Sequence, residues 1–198
     1  REMILETMAD INDRAGHSVG VSIELGGMIV LAGNEDGIAA LLAALPVEDR
    51  FPLRLQNHAA FHTDLQAPVS ERGLAAFPAD VFQSPEIPLI DGRGEIWWPG
   101  AVDASALHQY TFGSQVTDIY DFRHAIEVGM REFAPECIIL LGPGDTLGGA
   151  IAQSLIGMDW QGLSSKTEFV DRQTRAPLLY AMGRADQRMS VIQTKGPG

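Results

Sequence analysis

Two apolar runs split by a Gly-Gly step constrain this 198-residue chain more than any other feature. Val19, Val21, Ile23 and Leu25 alternate with small or polar residues, the period of a strand buried on one face. Met28-Ile29-Val30-Leu31-Ala32 follows as a continuous apolar strand closed by Gly33, and Gly26-Gly27 between them reads as a tight hairpin or a bulge. On either side the period becomes helical. Ile4, Leu5, Met8 and Ile11 predict a helix over residues 2–13, with turn chemistry from Asn12 to Gly16. Ile38, Leu41, Leu42 and Leu45 predict another, starting at Asn34 or Glu35 and stopped by Pro46. Phe51-Pro52-Leu53-Arg54-Leu55 reads as a third strand. Helix, strand, strand, helix, strand is the order of a small split βαβ lobe of the ferredoxin-like kind.

Beyond residue 57 the rhythm changes. A helix is expected over 65–76 and a short strand at Ile87-Pro88-Leu89-Ile90. Asp91-Gly92-Arg93-Gly94 is a turn, and Ile96-Trp97-Trp98-Pro99 a hydrophobic loop or short edge strand. Helices are expected near 103–110 and 121–132. Cys137-Ile138-Ile139-Leu140-Leu141 reads as a buried strand running into Gly142-Pro143-Gly144 and a helix that begins near Asp145 or Thr146. Strands alternating with helices give an α/β fold with a partly parallel sheet. The expected division is a small lobe over 1–57, a core over 58–190 and a loose tail over 191–198.

Composition narrows the function classes. The chain is 45% hydrophobic, enough to fill a core, and its net charge of −12 argues against nucleic acid or an anionic membrane as partner. No apolar run approaches a membrane span. The single cysteine, Cys137, excludes an internal disulfide and a Cys-based zinc site, so a reducing, cytoplasmic setting is the expectation. Within its apolar strand Cys137 reads as inert core. Trp97 and Trp98 read as cover for the core beneath a loop.

Gly16-His17-Ser18-Val19-Gly20 matches the G-x-S-x-G pattern of a nucleophile elbow. An elbow is a sharp turn from an apolar strand into a helix, with a strained serine at its tip. Ser18 instead follows a helix and a polar turn and leads into a strand. With 21 glycines in the chain the pattern also arises by chance, and Ser18 reads as a turn serine at a strand entrance. His62 is the better chemical candidate, a histidine in a loop after a strand, beside small residues that let a substrate approach. His58 stands four residues before it, a spacing that would make a metal pair on a helix. However, Ala59 occupies the place of the H-E-x-x-H glutamate and no third ligand is evident. Gly142-Pro143-Gly144-Asp145-Thr146 lacks a P-loop lysine and reads as a tight turn with Asp145 or Thr146 as helix cap.

Four segments together carry a family resemblance. Ala60-Phe61-His62-Thr63-Asp64-Leu65-Gln66-Ala67-Pro68 resembles the catalytic-histidine loop of the malonyl-CoA:acyl carrier protein transacylases. Leu140-Leu141-Gly142-Pro143-Gly144-Asp145-Thr146-Leu147-Gly148-Gly149 resembles their late strand–turn–helix segment. Ile87-Pro88-Leu89-Ile90-Asp91-Gly92 is similar to a strand that the family usually ends with asparagine, and Gly26 to Asn34 to a strand and turn of its small lobe. The order and separation of all four fit. The resemblance implies a ferredoxin-like small lobe followed by the C-terminal part of an α/β-hydrolase-like acyltransferase domain.

It also implies a function. A serine attacks the malonyl thioester of coenzyme A, His62 takes its proton, and the acyl group passes to the pantetheine thiol of acyl carrier protein in a ping-pong cycle. His62 would be the catalytic base, oriented by backbone carbonyls, so that neither Asp64 nor another carboxylate is needed. Phe61 and Asn57 would contact substrate, with Phe61 favouring malonyl over branched acyl groups. No metal or resident cofactor is expected; the partners are coenzyme A thioester and acyl carrier protein. In this registration the serine elbow, the oxyanion-hole loop and the malonyl-binding arginine all precede the small lobe. Ser18 is then a chance echo, and the chain, which opens on Arg1 without an initiator methionine, is expected to be inactive alone. A basic patch for the acidic carrier would come from Arg123 and Arg131 or from upstream. Two other readings stay open: a self-sufficient serine hydrolase using Ser18, Asp49 and His62, and a non-catalytic carrier-protein-binding module.

Overall fold

The computed structural model describes residues 1–49, 51–55 and 58–192. Its first elements follow the sequence periods. Helix α1 (Glu2–Asn12) leads into strands β1 (Val19–Leu25) and β2 (Met28–Gly33), joined by the Gly26-Gly27 turn, and then into α2 (Glu35–Ala44). Ile11, Val19 and Leu41 form a buried cluster, with Met8, Leu31 and Leu45 against it. Asn34 starts α2: its Oδ1 accepts from Gly37 N at 2.9 Å and from Ser18 N at 3.1 Å, while its Nδ2 donates to Gly16 O at 2.7 Å. Pro46 ends the helix by forcing Leu45 into extended geometry (φ −78°, ψ 138°).

The third strand of the small sheet is not Phe51–Leu55. Phe51 forms an isolated bridge with Glu48, Pro52 has no N–H to give a ladder, and Phe51, Leu53 and Leu55 are exposed. Strand order is β2-β1-β5, and β5 is Tyr120–Asp121, far down the chain.

Between these lie a 3₁₀ turn (Asp64–Gln66) running into α3 (Ala67–Ala76), and an antiparallel pair, β3 (Leu89–Ile90) with β4 (Ile96–Trp97). Next comes a helical run that starts as α4 (Ala104–Gln109), widens to a π-helical turn over Tyr110–Ser114 and closes as α5 (Gln115–Thr117). The remaining elements are α6 (Phe122–Phe133), β6 (Ile138–Leu140), α7 (Gly148–Gly157), α8 (Lys166–Arg175), β7 (Leu179–Ala181) and α9 (Ala185–Ile192). Strands β6 and β7 pair in parallel, Ile138 opposite Leu179 and Leu140 opposite Ala181, which fulfils the expectation of a partly parallel sheet.

The chain folds into two compact units. One is Arg1–Glu24, Ile29–Gly92 and Ile96–Tyr120; the other is Leu25–Met28, Arg93–Glu95 and Asp121–Gly198. The core of the second is Met130, Ile151, Leu155 and Leu179, backed by Phe122, Ile126, Ile138, Leu140 and Phe169. Strand β6 gives only one face to it: Ile139 and Leu141 are 42% and 80% exposed, and Cys137 is exposed rather than core. Helix α7 also starts later than the sequence suggests. Gly142 and Gly144 have φ of 100° and 78°, so the backbone cannot enter a helix there, and Leu147 occupies the N-cap position instead of Asp145 or Thr146.

Candidate functional site

His62 sits at the tip of a turn, not at the end of a strand as its sequence context suggests. Its backbone is left-handed, φ 60°, a conformation that costs a non-glycine residue about 1 kcal/mol or more. Several bonds hold it there. His62 N donates to Val116 O at 2.8 Å, Ser22 Oγ to Phe61 O at 2.9 Å, and Thr63 Oγ1 to Ala60 O at 2.7 Å. Ser22 is buried in β1, where simple alternation would have turned an apolar residue inward.

The imidazole is held as firmly as the backbone. His62 Nδ1 lies 2.6 Å from Gln115 O. A carbonyl oxygen only accepts, so Nδ1 carries the proton and the lone pair is left on Nε2. Gln115 and Val116 close the helical run that begins at Ala104, and the last carbonyls of a helix have no partner within it. Two of them are satisfied by His62, through its ring and its N–H. The π-helical turn just before this helix end is a feature frequent at functional sites.

The imidazole packs near the Tyr120 ring, 5.4 Å between centroids and tilted by 53°. Tyr120 is half-buried, and burial, aided by the Asp91 carboxylate, raises its phenol above the ordinary pKa. Asp91 is itself buried and accepts from Trp97 Nε1 at 3.2 Å. Phe61, beside the histidine, is 45% exposed, whereas Asn57, the other expected substrate contact, lies outside the described residues.

The competing candidates fare differently. Ser18 is half-buried and fixed by its backbone, N to Asn34 Oδ1 and O from Asn34 N at 3.0 Å. A Cβ on Gly33 would meet Ser18 O at 2.2 Å, so this turn closes only around glycine. Ser18 lacks both the positive φ of a strained tip and a helix after it, and therefore has no elbow geometry. With Val19, Gly20, Thr63, Asp64 and Leu65 it lines an open depression of about 240 Å³. The Ser18-Asp49-His62 triad has no geometric support, because Gln115 O holds the place at Nδ1 that an acid would take and Asp49 is an exposed turn residue. His58 and His62 do not share a helical face, since residues 58–63 are non-helical. Among the described residues no group of three or more His, Cys, Asp or Glu could hold a metal ion. Also among them, no helix is long and apolar enough to cross a membrane.

No protein-family model and no curated protein matches this sequence. Solved structures do. An acyl-carrier-protein S-malonyltransferase from Burkholderia pseudomallei 1710b superposes with a TM-score of 0.68, covering 98% of this chain at 15% identity. The fold is that of the malonyl-CoA:acyl carrier protein transacylases. The Synechocystis sp. PCC 6803 malonyl-CoA:ACP transacylase matches with a TM-score of 0.64 over 96% of the chain at 17% identity. A malonyl-transacylase in complex with its type II polyketide acyl-carrier protein also gives 0.64, over 98% at 16% identity. This chain spans about half of each of these transacylases, 55% of their length.

Proposed function

We propose that this chain supplies the histidine side of an acyltransferase site that moves a malonyl group from coenzyme A to the pantetheine thiol of an acyl carrier protein. The observation that carries the reading is the His62 imidazole, bonded at Nδ1 to Gln115 O, which leaves the lone pair of Nε2 to act as a base. Nε2 takes the proton of a serine hydroxyl as its oxygen attacks the thioester carbonyl. The C–S bond breaks, and the proton passes from Nε2 to the departing coenzyme A thiolate. The carrier thiol then repeats the sequence in reverse. The imidazolium formed in each half-reaction is stabilised by the helix end that Gln115 and Val116 close, in place of a triad carboxylate. In this reading the serine lies outside residues 1–198, and no resident cofactor takes part. Phe61 limits the size of the acyl group, and exposed Arg131 on α6 is a candidate contact for the acidic carrier.

Intact mass after incubation with malonyl-CoA tests the assignment. The expected result is no malonyl adduct on this chain; an adduct that disappears in Ser18→Ala would make Ser18 the nucleophile and overturn the reading. In a polypeptide that carries this sequence and transfers malonyl to the carrier, His62→Ala should lower the rate about 10²–10⁴-fold. Undiminished transfer by that variant would remove His62 as the base.

A further inference from the structure

We propose that Tyr120 is a positioning residue for His62, the wall that sets the plane of the imidazole and so aims its Nε2 lone pair. The proposal rests on the reading of His62 as the base. One hydrogen bond at Nδ1 sets the tautomer but still tolerates a swing of the ring about the Cβ–Cγ bond. A ring packed against the imidazole narrows that freedom, and Tyr120 provides one, 5.4 Å away between centroids and tilted by 53°.

Tyr120 is itself held by its neighbours. Its backbone belongs to β5 in the small sheet, and its ring lies against Gly92, where an added Cβ would stand only 2.4 Å from Cδ2. Gly92 is held in turn, its N–H donating to the Tyr110 hydroxyl at 2.9 Å. Tyr110 lies on the same helical run whose end presents Gln115 O to His62. One helix therefore secures both sides of the imidazole, directly through Gln115 and indirectly through Tyr110, Gly92 and Tyr120. A phenol is protonated at neutral pH, and burial and the Asp91 carboxylate push its pKa further up, so the wall is uncharged.

The ring, not the hydroxyl, is the working part. Nitrogen-15 NMR of the histidines, which reads the tautomer directly, is the test. The wild-type chain should show His62 protonated at Nδ1, and Tyr120→Phe should leave that signature unchanged. Tyr120→Leu, which fills similar volume without a flat face, should lower the Nδ1–H to Nε2–H ratio roughly tenfold and abolish the ring-current shift of the His62 carbon-bound protons. Gly92→Ala puts a Cβ into the Tyr120 ring, displaces it and should give the same change. An unaltered His62 tautomer in both Tyr120→Leu and Gly92→Ala overturns the positioning role and leaves the base assignment standing. A wild-type His62 protonated at Nε2 instead would overturn the base assignment itself.

Discussion

The turn at Ser18 and the turn at His62 present the two residues of this chain best placed, by their neighbours in sequence, to do chemistry. Ser18 carries the more recognisable motif. Yet its turn holds only backbone: Asn34 bonds its N–H and carbonyl, and among the described residues no partner aims its hydroxyl. At His62 the reverse is true. The backbone is strained at φ 60°, and both ring and main chain are bonded to the end of one helix. A motif records residue types, whereas a catalytic group needs its side chain held in one orientation and one tautomer. Strain that several bonds overcome marks the second turn as the one built around its side chain.

The comparison breaks most easily on activity. In a polypeptide with transfer activity, His62→Ala should cost about 10²–10⁴-fold while Ser18→Ala stays within about twofold. A larger loss from Ser18→Ala would reverse the two roles. Stability gives the opposite ranking. Asn34→Ala removes the cap of α2 and the bonds to Ser18 N and Gly16 O, and should cost about 1–2 kcal/mol in urea denaturation without changing transfer. Strain at His62 should be visible by a direct exchange. His62→Gly should be more stable than His62→Ala by about 1 kcal/mol, since glycine alone accepts φ 60° freely; equal stabilities would mean the turn is not strained.

The smallest effect is expected at high pH. The Tyr120 phenol has a raised pKa when folded, so the folded state resists its ionisation more than the unfolded chain does. The stability it confers is complete below its unfolded value of about 10 and is lost as pH rises through the folded value. Tyr120→Phe should flatten that alkaline decline in the urea midpoint, and an identical slope in both proteins would mean that the phenol is solvated rather than half-buried beside Asp91.

Much of the small lobe was legible from local pattern. The periods of α1, β1, β2 and α2, the Asn34 start and the Pro46 stop all reappear within a residue or two. Phe51–Leu55 misled because alternating apolar letters also occur in an exposed, proline-interrupted segment. Ser22 was not legible, because a single serine in an apolar strand carries no sign that it is buried. Cys137 and Ile139 read as buried because a continuous apolar run gives no sign of which face finds a partner.

The sequence by itself determined where chain direction and period change, and it singled out His62 by residue type and surroundings. Tertiary structure alone decided the third strand of the small sheet, the Gln115 carbonyl at Nδ1 and the Tyr120 wall. The reason is physical. Hydrophobic period is local and shows which face of an element turns inward, so it can be read along the chain. Every residue carries the same backbone carbonyl, so nothing in the letters marks the one, 53 positions from His62, that folding brings to its ring.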